Sequence, residues 1–448
     1  MRAAQGISFE DVRLSLWFAP SVAAVVALAA AAALAEVAPG GDSLLARLPW
    51  PPDVQTASTV LQVLATATIT VTSLTFSLVV VALQLASQQF SPRLLREFAR
   101  DWVIQAVLAV LVSTFVFSLT VLLGLSPDEE VPKLAVLTAY LLGLLSVAAL
   151  LAFLGHLVKA LRIDTMMVAV HGETATTIAE SYPSMSDPEP PRPDGIPGPD
   201  GTLVSSPRSG FVKVIKPAPL VRLAADQDVV IWMSIRPGDH VVAGTPIGCV
   251  CGPDGEPVRE ERAQGLAEQV LEAVELGFER TSEQDAALGL RQLADIGVKA
   301  LSPGINDPVT AAHAVGYASD LLVRLHGRRL GPQVHCDDQD RPRVVLPDRD
   351  HRYYLDLACG QIRRYGRREP SVLIALLRML RDVAVAVRDP EQGEEVRRQV
   401  RLILAETADD LLPEDVEGVR DAAERVEQAL AGDVAGAFSD RAGETRSL

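Results

Sequence analysis

The sequence predicts a mainly α-helical membrane protein: a four-helix transmembrane bundle, then a cytoplasmic region made of a small β module and an α-helical domain. Three observations predict it. Four long apolar stretches fall within residues 1–162. The 448-residue chain is 48% hydrophobic with a mean hydropathy of +0.21, which a wholly water-soluble chain of this size seldom reaches. Beyond residue 256 the apolar residues recur at helical spacing.

The first expected span, 14–37, is built chiefly of alanine and valine. A connection rich in Gly and Pro, from Pro39 to Asp53, leads to the second span at 58–87. At 1.5 Å per residue, a helix from Val60 to Ala86 is about 40 Å long and crosses a bilayer with an overhang. At 100° per residue, Thr59, Thr66, Thr70, Ser73, Ser77, Gln84 and Gln88 share one face, while Thr68, Thr72 and Thr75 lie opposite. Polar side chains within lipid need a partner helix or water, so the first set is a candidate pore lining or helix-packing stripe. Two polar faces suit a helix enclosed by neighbours.

Ser91-Pro92 ends that pattern, and Arg93, Arg96 and Arg100 follow. The third and fourth spans are expected at 102–125 and 134–157, joined by the acidic loop SPDEEVPK. Arg2, Arg13, Arg93, Arg96, Arg100, Lys159 and Arg162 fall on one side of the bilayer, against Arg47 and Lys133 on the other. The bias places both termini in the cytoplasm. His156, at the inner end of the fourth span, reads as an interfacial histidine, with a titrating gate as the alternative.

Residues 163–202 read as a helical extension and a proline-rich linker. The β module, 203–255, contains the runs FVKVI, VVIWMSI and IGCVC, with turns at Arg236-Pro237-Gly238-Asp239 and Ala243-Gly244-Thr245-Pro246. Its pattern resembles the barrel-sandwich hybrid of biotinyl and lipoyl domains. Where those carry a modified lysine this chain has Ala224-Ala225-Asp226, so no covalent cofactor is expected. The helical domain, 256–430, opens a helix with a capping-box spacing at Thr281 and Gln284 that runs to Leu301. Asp307-Pro308 starts another that reaches Leu325. A loop or hairpin at Gly331 to Asp350 precedes helices at Asp356–Arg368, Ser371–Val387, Glu394–Thr407 and Glu414–Ala429. Residues 431–448 read as a disordered tail.

A net charge of −16 argues against nucleic acid as a partner. Cys249, Cys251, Cys336 and Cys359 have neither a disulfide-framework nor a metal-ligand spacing and are expected as free thiols. No nucleophile elbow, zinc-binding HExxH or phosphate loop is present, so the sequence nominates no catalytic residue, metal or cofactor. The densest polar run, Arg280, Gln284, Asp285, Asp295, Lys299, Ser302, Asn306, Asp307 and His313, is a candidate ligand or subunit-contact site, against a reading in which Asp295 and Lys299 pair and Asp307 caps. Arg93 and Arg96, with Arg363, Arg364, Arg367 and Arg368, are candidate contacts for anionic lipid.

Two segments, ASQQFSPRLLREFARD and QDAALGLRQLADIGVKALSPGINDPVTA, resemble the bacterial family designated DUF2254. The resemblance implies a multi-pass inner-membrane protein with a cytoplasmic C-terminal region and brings no activity. The functional expectation is a homo-oligomeric channel or pore in the lipid bilayer, passing or binding an ion or small ligand, with the soluble region assembling or gating it. A membrane-anchored scaffold or sensor is the alternative, and an enzyme the third reading.

Overall fold

The computed structural model describes residues 17–36, 53–89, 101–126, 131–160, 162–187, 196 and 201–439, without the side chains of 85–89, 263 and 264. The expected lipid contacts Arg93 and Arg96, and the stripe residue Gln88, lie outside what is described. The chain divides into two units, Met1–Thr165 and Met166–Leu448.

The first unit contains four helices long and apolar enough to cross a membrane, where the sequence places the spans: α1 (Phe18–Glu36), α2 (Val54–Gln89), α3 (Trp102–Leu123) and α4 (Lys133–Ala160). Small residues bring them together. Ala27 and Ala31 of α1, Ala57 and Leu61 of α2, Phe117 and Val121 of α3, and Ala135 and Ala139 of α4 form one buried cluster. Val79, Ala82, Leu111 and Phe153 belong to a second. Between them the Thr114 and Ser146 hydroxyls meet at 2.9 Å, a buried hydrogen bond that fixes α3 against α4. The outward surface carries Val25, Leu74, Leu141, Leu144 and Leu151, the apolar exterior that lipid requires. Asp101 caps α3 by accepting from the Val103 amide, and His156 of α4 sits 2.5 Å from its other oxygen.

The second unit begins with α5 (Ile163–Ser181), whose Thr174 packs on Gly289 so closely that any Cβ there would collide with it. One sheet has strand order β1-β5-β3-β8-β7 and the other β4-β2-β6. The strands are β1 (Thr202–Ser205), β2 (Gly210–Ile215), β3 (Val230–Met233), β4 (His240–Val241), β5 (Pro246–Cys251), β6 (Val274–Gly277), β7 (Gln333–Cys336) and β8 (Pro342–Leu346). The β module was expected to end at residue 255, yet β6 joins it from a stretch read as helical, and β7 and β8, the hairpin reading of Gly331 to Asp350, extend its larger sheet. The reason is burial: β3 is apolar on both faces and gains a parallel neighbour in β8 through Ile231 opposite Val344. Helices α6 (Pro217–Asp226) and α7 (Glu260–Glu272) cover the sheets with Leu220, Ala224, Leu266 and Val270.

The helices α8 (Ala286–Ala300), α9 (Pro308–His326), α10 (His351–Tyr365), α11 (Pro370–Ala386), α12 (Pro390–Glu406) and α13 (Pro413–Leu430) pack on one another. Two start with proline after an Asp cap, Asp307 and Asp389 accepting from the Thr310 and Gln392 amides. The expected capping box at Thr281 and Gln284 does not form. Helix α8 begins later, at Ala286, because the Gln284 side chain accepts instead from the Ile215 amide at 3.0 Å, a tertiary bond that overrides the local one. The expected tail is also partly structured. Val434–Ala437 makes one further turn, α14, with Ala437 buried and Phe438 beneath the Arg381 guanidinium at 4.1 Å. Residues 440–448 lie outside the described chain.

Candidate functional site

Two features stand out, one in each unit. In the membrane unit, Thr59, Thr66, Thr70, Ser73, Ser77 and Gln84 of α2 are all exposed on the outside of the four-helix unit, whereas Thr68 and Thr75 are buried within it. Within one chain α2 is therefore not enclosed on both polar faces, as its two sets of hydroxyls had suggested. Three stripe hydroxyls donate to their own helix: Thr59 to Gln55 O at 2.8 Å, Thr70 to Thr66 O at 2.7 Å and Ser77 to Ser73 O at 3.0 Å. Such bonds lower the cost of facing an apolar medium, yet each hydroxyl oxygen keeps acceptor capacity and the Gln84 amide has two donors.

In the second unit, the polar run from Arg280 to His313 separates into different roles. Arg280, Gln284 and Asp285 precede α8, and Ser302, Asn306 and Asp307 follow it. Fifteen residues of helix, about 22 Å, lie between the two groups. The second group builds a turn: Asn306 takes a left-handed φ of 51°, and Asp307 accepts from the Thr310 amide and hydroxyl, which hold its carboxyl below the usual range. Lys299 and His313 are exposed and Asp295 is half-buried.

The first group joins a buried ionic centre. Arg280 donates to Asp285 Oδ2 from Nε at 2.8 Å and Nη2 at 2.5 Å, and Arg349 Nη1 lies 3.4 Å from Oδ1. Arg349 also donates to the Pro237 carbonyl at 2.9 Å and lies 3.8 Å from Asp239. Its guanidinium sits 5.3 Å from the Tyr353 ring centre. Burial, the largest single influence, would lower the Arg349 pKa, but Asp285, Tyr354 and Tyr353 together outweigh it and the group stays charged.

Beside this centre opens a cavity of about 440 Å³. Tyr182 enters from the end of α5, and its hydroxyl meets that of Tyr354 at 2.6 Å. Burial, reinforced by Asp348, raises the Tyr182 pKa and keeps it neutral. Gln333 and His335, two residues apart on edge strand β7, present one face to the cavity. Burial lowers the His335 pKa, and its Nε2 is buried without a hydrogen-bond partner. Asp348 follows β8, and burial raises its carboxyl to about 6 despite the Arg349 amide it accepts from at 2.7 Å. The sequence nominated Arg280, Gln284 and Asp285 but missed Tyr182, His335, Asp348, Arg349 and Tyr354. Arg349 in the run Asp348-Arg349-Asp350 was the available signal, because an arginine set between two acids in a short connection is a candidate for a buried pair.

The arginine cluster divides as well. Arg363 turns inward, buried 3.4 Å from Glu406, while Arg364, Arg367 and Arg368 line an open basin of about 700 Å³. Glu406, Asp409 and Asp410 share that basin, and Arg368 pairs with Asp410 at 3.3 Å. Among the described residues no group of His, Cys, Asp and Glu is placed to hold a metal ion.

A family model described as "Predicted membrane protein (DUF2254)" matches residues 13–382. Uncharacterized proteins of Mycobacterium tuberculosis (strain ATCC 25618 / H37Rv), Rv1290c, and of Mycobacterium bovis, Mb1321c, are each 34% identical over 399 residues, covering 87% of this chain and 75% of theirs. No solved structure matches. Four apolar helices in the expected places, with a family match across most of the length, make this chain a member of the DUF2254 family of predicted membrane proteins.

Proposed function

We propose that the protein is a homo-oligomeric, channel-like protein of the bacterial plasma membrane, in which the α2 stripe of several copies surrounds a hydrated path. The observation that carries the reading is the outward exposure of Thr59, Thr66, Thr70, Ser73, Ser77 and Gln84 on one unit. They extend over 26 residues of helix, about 38 Å, more than the thickness of the hydrocarbon. An amide and a column of hydroxyls along that length are poorly served by lipid and well served by water or by another copy. The interior of one unit is filled by Leu61, Phe117 and Phe153, so a path is better placed between copies than through one. Both termini lie in the cytoplasm in this reading, which the lysine and arginine bias supports, and the soluble unit assembles or gates the pore.

Ion flux from liposomes tests it. Thr70→Leu and Ser73→Leu should abolish flux by dewetting the path while melting and particle size stay unchanged, and Thr72→Leu should leave flux intact. An anchored scaffold would use the same face for packing only. Absence of flux in the parent protein, with melting lowered by Thr70→Leu or Ser73→Leu, would replace the pore by that scaffold.

A further inference from the structure

The geometry points to the cavity beside Tyr182 and Asp348 as a binding site for a small aliphatic amine, held as its ammonium ion. At about 440 Å³ the cavity has the size of small-molecule sites. Its walls divide by chemistry. Ile215, Pro217, Pro237, Leu346 and Pro347 supply apolar surface that accepts an alkyl chain. Asp348, Gln333 and His335 supply hydrogen-bonding groups, and Glu180 and Glu283 stand exposed at the rim.

The sign of the ligand follows from the charges. Among the described lining residues are three carboxylates and neither lysine nor arginine. The nearest guanidinium, Arg349, is committed elsewhere, to Asp285, Asp239 and the Pro237 carbonyl. An anion would meet three carboxylates, with Arg349 and Arg236 acting on Asp348 only from outside the lining, whereas an ammonium has three donors for Asp348 and the Gln333 carbonyl. His335 Nε2, buried without a partner, offers one more polar group that an incoming ligand can satisfy. A metal ion is disfavoured, because no group of three His, Cys, Asp or Glu is disposed to ligate one among the described residues. The site belongs to the soluble unit and stands whether or not the membrane unit conducts.

Isothermal titration of the full-length protein in nanodiscs with n-butylamine and putrescine tests the proposal, with n-butanol, inorganic phosphate and magnesium chloride as comparisons. Saturable heat from either amine and none from the alcohol, phosphate or magnesium is the expected result. Asp348→Asn should weaken amine binding at least tenfold, as should Gln333→Ala, the second variant guarding against misfolding of the first. Failure of both amines to bind at millimolar concentration overturns the proposal. So does binding unchanged in well-folded Asp348→Asn and Gln333→Ala, or saturable binding of phosphate or magnesium in place of the amines.

Discussion

Asp285 uses its two carboxylate oxygens for two different arginines, Oδ2 for Arg280 at 2.5 Å and Oδ1 for Arg349 at 3.4 Å. The acid is fully buried and the Arg349 side chain nearly so, which makes the arrangement sensitive to removal of its shared member. Asp285→Asn leaves Arg280 without its counter-charge and Arg349 with only the longer contact to Asp239, and should cost about 3 to 5 kcal/mol. Arg349→Met leaves Asp285 paired with Arg280 and should cost less, about 1 to 2 kcal/mol. Chemical denaturation of the full-length protein in detergent compares the two. A larger loss from Arg349→Met would contradict the shared-acid description.

Gly238 closes the turn Arg236-Pro237-Gly238-Asp239 with a φ of 90°, in the position where a type II turn requires a residue with positive φ. A Cβ there would collide with the Asp285 carboxylate and lie 2.9 Å from Arg280 Nη2. Gly238→Ala should therefore cost about 3 kcal/mol, combining backbone strain with overpacking. At Gly244, φ is 84° but nothing lies within 4 Å, so Gly244→Ala should cost only about 1 to 2 kcal/mol of strain. Thermal melts of the two variants should differ in that order.

Two groups in the second unit make stability depend on pH with opposite signs. His351 meets His326 at a tilt of 42° with ring centres 4.3 Å apart. Burial first, then the neighbouring His326, lowers its folded pKa from 6.5 to about 4. The unfolded chain then takes up the proton first, so this contribution is complete above about pH 6.5 and is lost as pH falls toward 4. Asp348 is raised from 3.8 to about 6, so its contribution is complete below about 3.8 and is lost as pH rises through 6. His351→Gln should flatten the fall in melting temperature between pH 7 and 5. Asp348→Asn should raise melting at pH 8, by an amount on the order of 1 to 3 kcal/mol. A lower melting temperature for Asp348→Asn at pH 8 would contradict the buried-acid reading.

How much was legible follows from the range of the interactions. Spans such as 102–125 are fixed by roughly twenty consecutive apolar residues, a local property, and α3 and α4 fall where expected. Asp307-Pro308 announced α9 because a cap and a proline act on their own turn. The pairing of β3 with β8, more than a hundred residues apart, leaves no local trace, and β8 alone reads only as a short apolar run. Gln284 misled for the same reason, since its partner is Ile215 and not its own helix. Tyr182, His335 and Asp348 converge from a helix end, an edge strand and a loop, and nothing in their spacing records it. The outward orientation of the α2 stripe needed the packing of Leu61 and Ala65 to decide which polar face turns inward.

Cross-linking in native membranes tests the central claim, that the exposed stripe of α2 faces another copy of the chain. The four native cysteines all lie in the second unit, and Cys249, Cys251 and Cys359 are buried. A single Ser73→Cys substitution should therefore yield oxidant-dependent dimers absent from the parent protein, and Thr70→Cys should do the same. Thr75→Cys, on the buried face, should yield none. The absence of dimers from Thr66→Cys, Thr70→Cys, Ser73→Cys and Ser77→Cys alike, in protein that is folded and inserted, would contradict it.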